Sequence, residues 1–216
     1  MQCRTRRVAA ILIAGVLAGC ASSPGAVTTY EAGGTVTDTA AATELRLAMR
    51  KLWSEHVIWT RDYVVAALAD HPSATPLSAR LLRNQQDIGN AIKPYYGASA
   101  GDKLSSLLQD HIRIAVDLVA AAKANDAAKK TDADQRWHAN AAEIATFLSG
   151  ANPNWPHQTL LDMLAEHLSL TTQEVVARLE SRWTDDIAMF DRIHEQALMM
   201  ADALTAGIVK QFPARF

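Results

Sequence analysis

The chain has 216 residues, 49% of them hydrophobic and 20% charged, with Lys+Arg 21 against Asp+Glu 23 and two cysteines. That length builds one domain with a substantial core, and an Ala- and Leu-rich composition with few glycines favours helix. A formal charge of -2 with no basic cluster excludes a phosphate-backbone partner, so no nucleic acid is expected.

Arg4, Arg6 and Arg7 precede an apolar stretch from Val8 to Ala18. That stretch is shorter than the roughly 20 residues that cross a bilayer, and it reads as a targeting segment. It ends in Leu17-Ala18-Gly19-Cys20, which resembles the lipobox of bacterial lipoproteins. The resemblance implies cleavage after residue 19 and a lipid anchor on Cys20. It also implies a membrane-anchored protein on the periplasmic or extracytoplasmic side. Ala21, rather than Asp, follows the cysteine, which by the same resemblance implies the outer membrane in a Gram-negative source. Cys3 leaves with the leader, so Cys20 has no partner for an intramolecular disulfide and no Cys-based metal site can form. Residues 20–39 are Ser/Thr/Gly-rich and aperiodic, and read as a flexible tether.

Residues 40–216 are expected to form an all-α, largely antiparallel up-and-down bundle of about six helices, four long and two short. A first long helix spans about 41–69 and ends before His71-Pro72. Thr75-Pro76 starts a second, about 76–93, which Pro94 and Gly97 stop. A third covers about 102–124, and Asn125-Asp126 separates it from a fourth at about 127–149. Asn154-Trp155-Pro156 opens a short fifth helix. Thr171 with Glu174 reads as a capping box, so the sixth and longest is expected at about 172–211. No segment alternates with the period of a strand.

The sharpest feature is a set of histidines on helical faces. His56 shares a face with Met49, Trp53 and Tyr63, and the arrangement recurs around His111, in half form around His167, and loosely around His194. In the first three an acid precedes the histidine and an aliphatic residue follows it. Four helices thus aim one imidazole each at a common core. One reading is a metal or haem site, with Asp191 beside His194 and zinc, copper, iron or haem as the occupant. The other is a set of core histidines, hydrogen-bonded to polar neighbours and fixing helix register. Asn84, Asp87 and Asn90 on the second helix are the candidate partners, or the lining of a polar pocket. No phosphate-binding Gly-rich loop, Gly-x-Ser-x-Gly elbow or His-Glu-x-x-His occurs, and no catalytic residue stands out.

Leu52-Trp53-x-Glu55-His56-Val57-x-Trp59-Thr60-Arg61 resembles the opening of a widespread family of small helical bacterial proteins without established activity. Asp87-Ile88-Gly89-Asn90-Ala91-Ile92-Lys93-Pro94-Tyr95-Tyr96-Gly97, Ala151-Asn152-Pro153-x-Trp155 and Lys210-Gln211-Phe212-Pro213 carry the resemblance on. Members are often labelled glycosyltransferase or acetylglutamate kinase, chemistries housed on α/β folds that an all-helical chain does not supply. The expected function is a lipid-anchored binding or structural module of the bacterial cell envelope. A metal- or haem-binding bundle is the alternative.

Overall fold

The structure, a computed structural model, describes residues 39–216. The targeting segment, Cys20 and the tether as far as residue 38 lie outside the described residues. Thr39 caps the first helix, its Oγ1 accepting from Ala42 N at 3.2 Å. Six helices follow: α1 (Ala40–Leu68), α2 (Ala74–Tyr96), α3 (Ala98–Lys123), α4 (Ala127–Ala151), α5 (His157–Leu179) and α6 (Trp183–Gln211). A 3-10 turn, Pro213–Arg215, closes the chain, and no strand occurs among the described residues. No helix among them is long and apolar enough to cross a membrane.

The all-α bundle is as expected, but the division into four long and two short helices is not. All six run from 23 to 29 residues. The Thr171–Glu174 pattern does not start a helix. Thr171 is buried inside α5, and its Oγ1 donates to His167 O at 2.9 Å, one turn back. The break falls instead at Glu180–Arg182. Pro94 does not end α2 either, because near the last turn its missing N–H costs one hydrogen bond at most. The stop is Gly97 at φ 83°, a backbone conformation L side chains avoid, with its N–H on Lys93 O at 2.9 Å.

Each helix packs on the next, and α6 returns to α1, so the six form a closed ring. Within it the chain repeats. The pairs α1–α2, α3–α4 and α5–α6 are three copies of one helical hairpin, with a period of about 55 residues. Their turns pass through Asp70, Asn125 and Ser181, all at positive φ. Each turn is closed by a six-to-one bond: His71 N to Ala66 O, Asp126 N to Ala121 O, Arg182 N to Ala177 O. Buried residues recur in register. Met49, Leu104 and Leu160 form one layer, Trp53, Leu108 and Leu164 the next, and Val64, Val119 and Val175 another. From the second helices come Leu81, Trp137 and Ile193, then Ile88, Ile144 and Met200. Each such aliphatic side chain contributes about 1.5–3 kcal/mol on burial.

The three seams between hairpins differ. At α2–α3 the backbones nearly touch, since a Cβ on Gly89 would lie 2.4 Å from Gly101 O. At α6–α1 polar bridges cross: Arg50 Nη1 to Asp202 Oδ2 at 2.6 Å, and Ser54 Oγ to His194 Nε2 at 3.0 Å. At α4–α5 the only side-chain bond among the described residues is Thr146 Oγ1 to His157 Nε2, 3.3 Å, beside the connecting turn. The rest of that seam is held by packing alone.

Candidate functional site

Midway along the ring, the first helices of the three hairpins bring His56, His111 and His167 into one layer. Each is 5% exposed, and the His56 and His167 ring centroids lie 5.6 Å apart. Trp53 meets His56 edge-on and Trp137 lies against His111, with centroids 5.9 and 5.2 Å apart. The second helix of every hairpin supplies an amide, 29 residues after its histidine.

The amide orientation sets the tautomer. Asn140 Nδ2 donates to Leu107 O at 3.1 Å and Gln196 Nε2 to Met163 O at 2.8 Å. Their oxygens therefore accept from His111 Nδ1 (2.8 Å) and His167 Nδ1 (3.2 Å). In the first hairpin Asn84 makes the equivalent bond, Nδ2 to Leu52 O at 3.0 Å. Its oxygen is taken by Gln85 Nε2 at 3.0 Å, and it is Gln85 Nε2 that reaches His56 Nδ1, 3.2 Å away. Gln85 Nε2 also donates to Leu81 O at 3.0 Å, so its two protons face three acceptors and do not set the His56 tautomer.

Burial holds all three imidazoles neutral. It drives His111 down to about 3, with His167 adding to the shift and the Asn140 bond opposing it. Burial likewise takes His167 down to about 4 against the pull of Gln196. His56 falls well below the usual range through burial and the two neighbouring histidines.

His194 does not join the layer. It is half-buried on α6, stacked on Phe190 and bonded to Ser54. Asp191 is exposed, and so is Asn90, while Asp87 is half-buried. Of the expected partners only Asn84 is in place, and it acts through Gln85. Among the described residues no three His, Cys, Asp or Glu side chains are placed to hold a metal ion. The sequence reading missed Gln85, Asn140 and Gln196, whose signal was their constant interval from each histidine.

It also missed a buried ion cluster. Arg61 of α1 bonds both oxygens of Asp186, with Nη2 to Oδ2 at 2.8 Å, and also reaches Glu174 Oε1. Arg178 Nη1 meets Asp186 Oδ2 at 2.8 Å. The Glu174 and Asp186 side chains are each 2% exposed. Burial pushes the Glu174 carboxyl up against the pull of Arg61. Burial also opposes the charge on Arg61, but its hydrogen bonds to Asp186 and Glu174 prevail and raise its pKa. The cluster joins α1, α5 and α6.

On the turn side of the histidine layer a cavity of about 330 Å³ opens at the α4–α5 seam. Its floor is the ring one turn beyond the histidines: Thr60, Ala115 and Thr171. Tyr63, Val64, Ile112, Val119, Trp137 and Val175 wall it. Asn125, Asp126, Lys130, Asp134 and Glu180 stand at the mouth. On the other side of the histidines the core leaves only an apolar void of about 30 Å³. The cavity is thus a departure from the threefold pattern, placed at the seam where Thr146–His157 is the only side-chain hydrogen bond among the described residues. Where Thr60 and Thr171 fill their positions, the third hairpin-related position holds Ala115.

Together these features define a ring of three helical hairpins around a neutral histidine layer, with one apolar cavity at its weakest seam. Comparison of the chain with family models, curated proteins and solved structures finds no match.

Proposed function

We propose that this chain is a lipid-anchored binding module of the bacterial cell envelope whose bundle holds a small apolar molecule in the cavity beneath the α4–α5 seam. The cavity carries the reading. Its volume of about 330 Å³ falls in the roughly 300–1,000 Å³ range of small-ligand sites. Its walls are apolar, with a few polar groups at the floor and mouth. The address rests on the lipobox resemblance at Leu17–Cys20. For the anchor, Cys20→Ala is expected to leave the chain unprocessed or release it from the membrane fraction.

The cavity is tested with N-phenyl-1-naphthylamine, a dye that brightens in apolar surroundings, on the full chain and on Ala115→Phe. The variant fills the floor, and the leader contributes the same background to both. Wild type is expected to show a saturable enhancement that the variant lacks while keeping its helical circular dichroism. Equal enhancement in the two rules the cavity out as the binding site.

A further inference from the structure

We infer that the end of the bundle where α1 begins is a docking surface for an anionic lipid bilayer. The inference rests on the lipid-anchored reading above and adds a second contact with the membrane. A chain held at Cys20 meets the bundle at Thr39, 19 residues on, and so presents this end to the bilayer at high effective concentration. Contacts too weak to hold a free protein are then enough.

Side chains tie this end together. Tyr96 Oη donates to Gln211 Oε1 at 2.7 Å, Gln211 Nε2 to Ala151 O at 3.1 Å and Arg215 Nη1 to Pro94 O at 2.9 Å. Burial raises the Tyr95 pKa, Arg215 opposes the rise and Glu44 adds to it, which sets the start of α1 beside that ring. The surface so formed is aromatic and half-buried. Tyr95 lies 5.8 Å from Phe212 and 5.7 Å from Phe216, with the Arg215 guanidinium 5.8 Å from its centre. Rings that are part apolar and part wet settle at the level of lipid headgroups. Leu47, near the start of α1, is 63% exposed, more than any other large apolar side chain among the described residues.

Charge distinguishes the two ends. At the α1 end, residues 39–47, 93–103, 149–158 and 208–216 hold five bases and two acids. Asp102 is taken by Lys93 at 2.6 Å, while Lys103 and Lys210 are exposed and have no ion-pair partner among the described residues. At the turn end, residues 66–76, 121–131 and 177–187 hold five of each. There every charge but Lys130 is paired: Asp70 with Lys123, Asp126 with Lys129, Glu180 and Asp185 with Arg182, Asp186 with Arg178. The α1 end therefore carries the excess of uncommitted cations, set beside aromatic rings, which complements a layer of phosphate headgroups.

The test labels the full lipidated chain at one end or the other and reconstitutes it in vesicles. Cys20 carries the lipid in that chain and Cys3 has left with the leader, so Ala214→Cys and Ala69→Cys each supply one exposed thiol for a fluorophore. The vesicles are phosphatidylcholine with or without phosphatidylglycerol, and carry a quencher on the headgroup. In the anionic vesicles the label at residue 214 is expected to be quenched and the label at residue 69 spared. Neutral lipid or 0.5 M sodium chloride is expected to abolish that difference. Lys103→Gln and Lys210→Gln are each expected to lower the docked-to-undocked ratio about fivefold, with an unchanged melting temperature. Quenching that is equal at the two ends or greater at residue 69 overturns the inference while the anchor stands, and so do lysine variants that dock like wild type. A chain that salt strips from the vesicles altogether has no lipid anchor, which defeats both.

Discussion

His111 shows what one residue does in this layer. Its Nδ1–H is matched to Asn140 Oδ1 and its ring lies against Trp137, so truncation leaves a void and an orphaned amide oxygen. His111→Ala is expected to cost about 2–4 kcal/mol in urea unfolding. A chelator is expected to leave the melting temperature unchanged. Acid acts on the same layer. The folded pKa of each histidine lies below its unfolded value, so the unfolded chain binds the protons more tightly. Stability is then full above pH 6.5 and falls below it by about 1.4 kcal/mol per histidine per pH unit, down to the folded values. Unfolding free energies measured between pH 7.5 and 5 check this; a flat profile contradicts the neutral layer. The imidazoles were legible from their helical faces. Their partners were not, because the 29-residue interval from each histidine to its amide takes on meaning only once the hairpin repeat is recognised. Arg61, Glu174 and Asp186 were not legible as a cluster for a related reason, since their pairings span 113 and 125 residues and exist only once the ring closes.

At the scale of elements, the turns carry the tension. Asp70, Asn125 and Ser181 hold the left-handed conformation that a C-terminal glycine usually supplies. Ser181, at φ 58°, has the least local excuse, since Asp and Asn tolerate that region better than Ser. Ser181→Gly is expected to raise stability by up to about 1 kcal/mol, strain relief less the added freedom of the unfolded chain. A higher urea midpoint with unchanged slope is the readout. The missing glycine also explains why the α5–α6 boundary was placed wrongly. With no breaker at 180–182 and a Thr–x–x–Glu pattern at 171, the local signal placed the start of α6 eleven residues too early. Burial decided otherwise. Glu174 serves Arg61 across the ring, so its spacing from Thr171 has nothing to do with capping.

The whole molecule depends on how its three hairpins are joined. A hairpin alone leaves its apolar face bare, so stability comes from the seams, as in other repeat architectures. The first seam is fixed by backbone contact at Gly89 and Gly101, and the second, α4–α5, is left loose around the cavity. The third must therefore close the ring, and the Arg61 cluster is its strongest bond. Truncating Arg61 strands Glu174 and leaves Asp186 to Arg178 alone, both carboxylate side chains being 2% exposed. Arg61→Ala is expected to cost about 3–5 kcal/mol, the penalty of an unpaired buried charge. Lys51→Ala, which breaks only an exposed pair with Glu55, is expected to cost under about 1 kcal/mol. Salt separates the two further, since 0.5 M sodium chloride screens the Lys51 pair and leaves the Arg61 effect nearly intact. Hydrogen exchange locates the damage. In wild type the turn-side end of α4 is expected to exchange fastest, because no polar bridge joins it to α5 across the cavity. In Arg61→Ala, exchange is expected to rise sharply along α6 and the facing half of α1, and far less in α2 and α3. If protection falls equally in all six helices, the cluster stabilises the domain as one cooperative unit and is not the clasp of the ring.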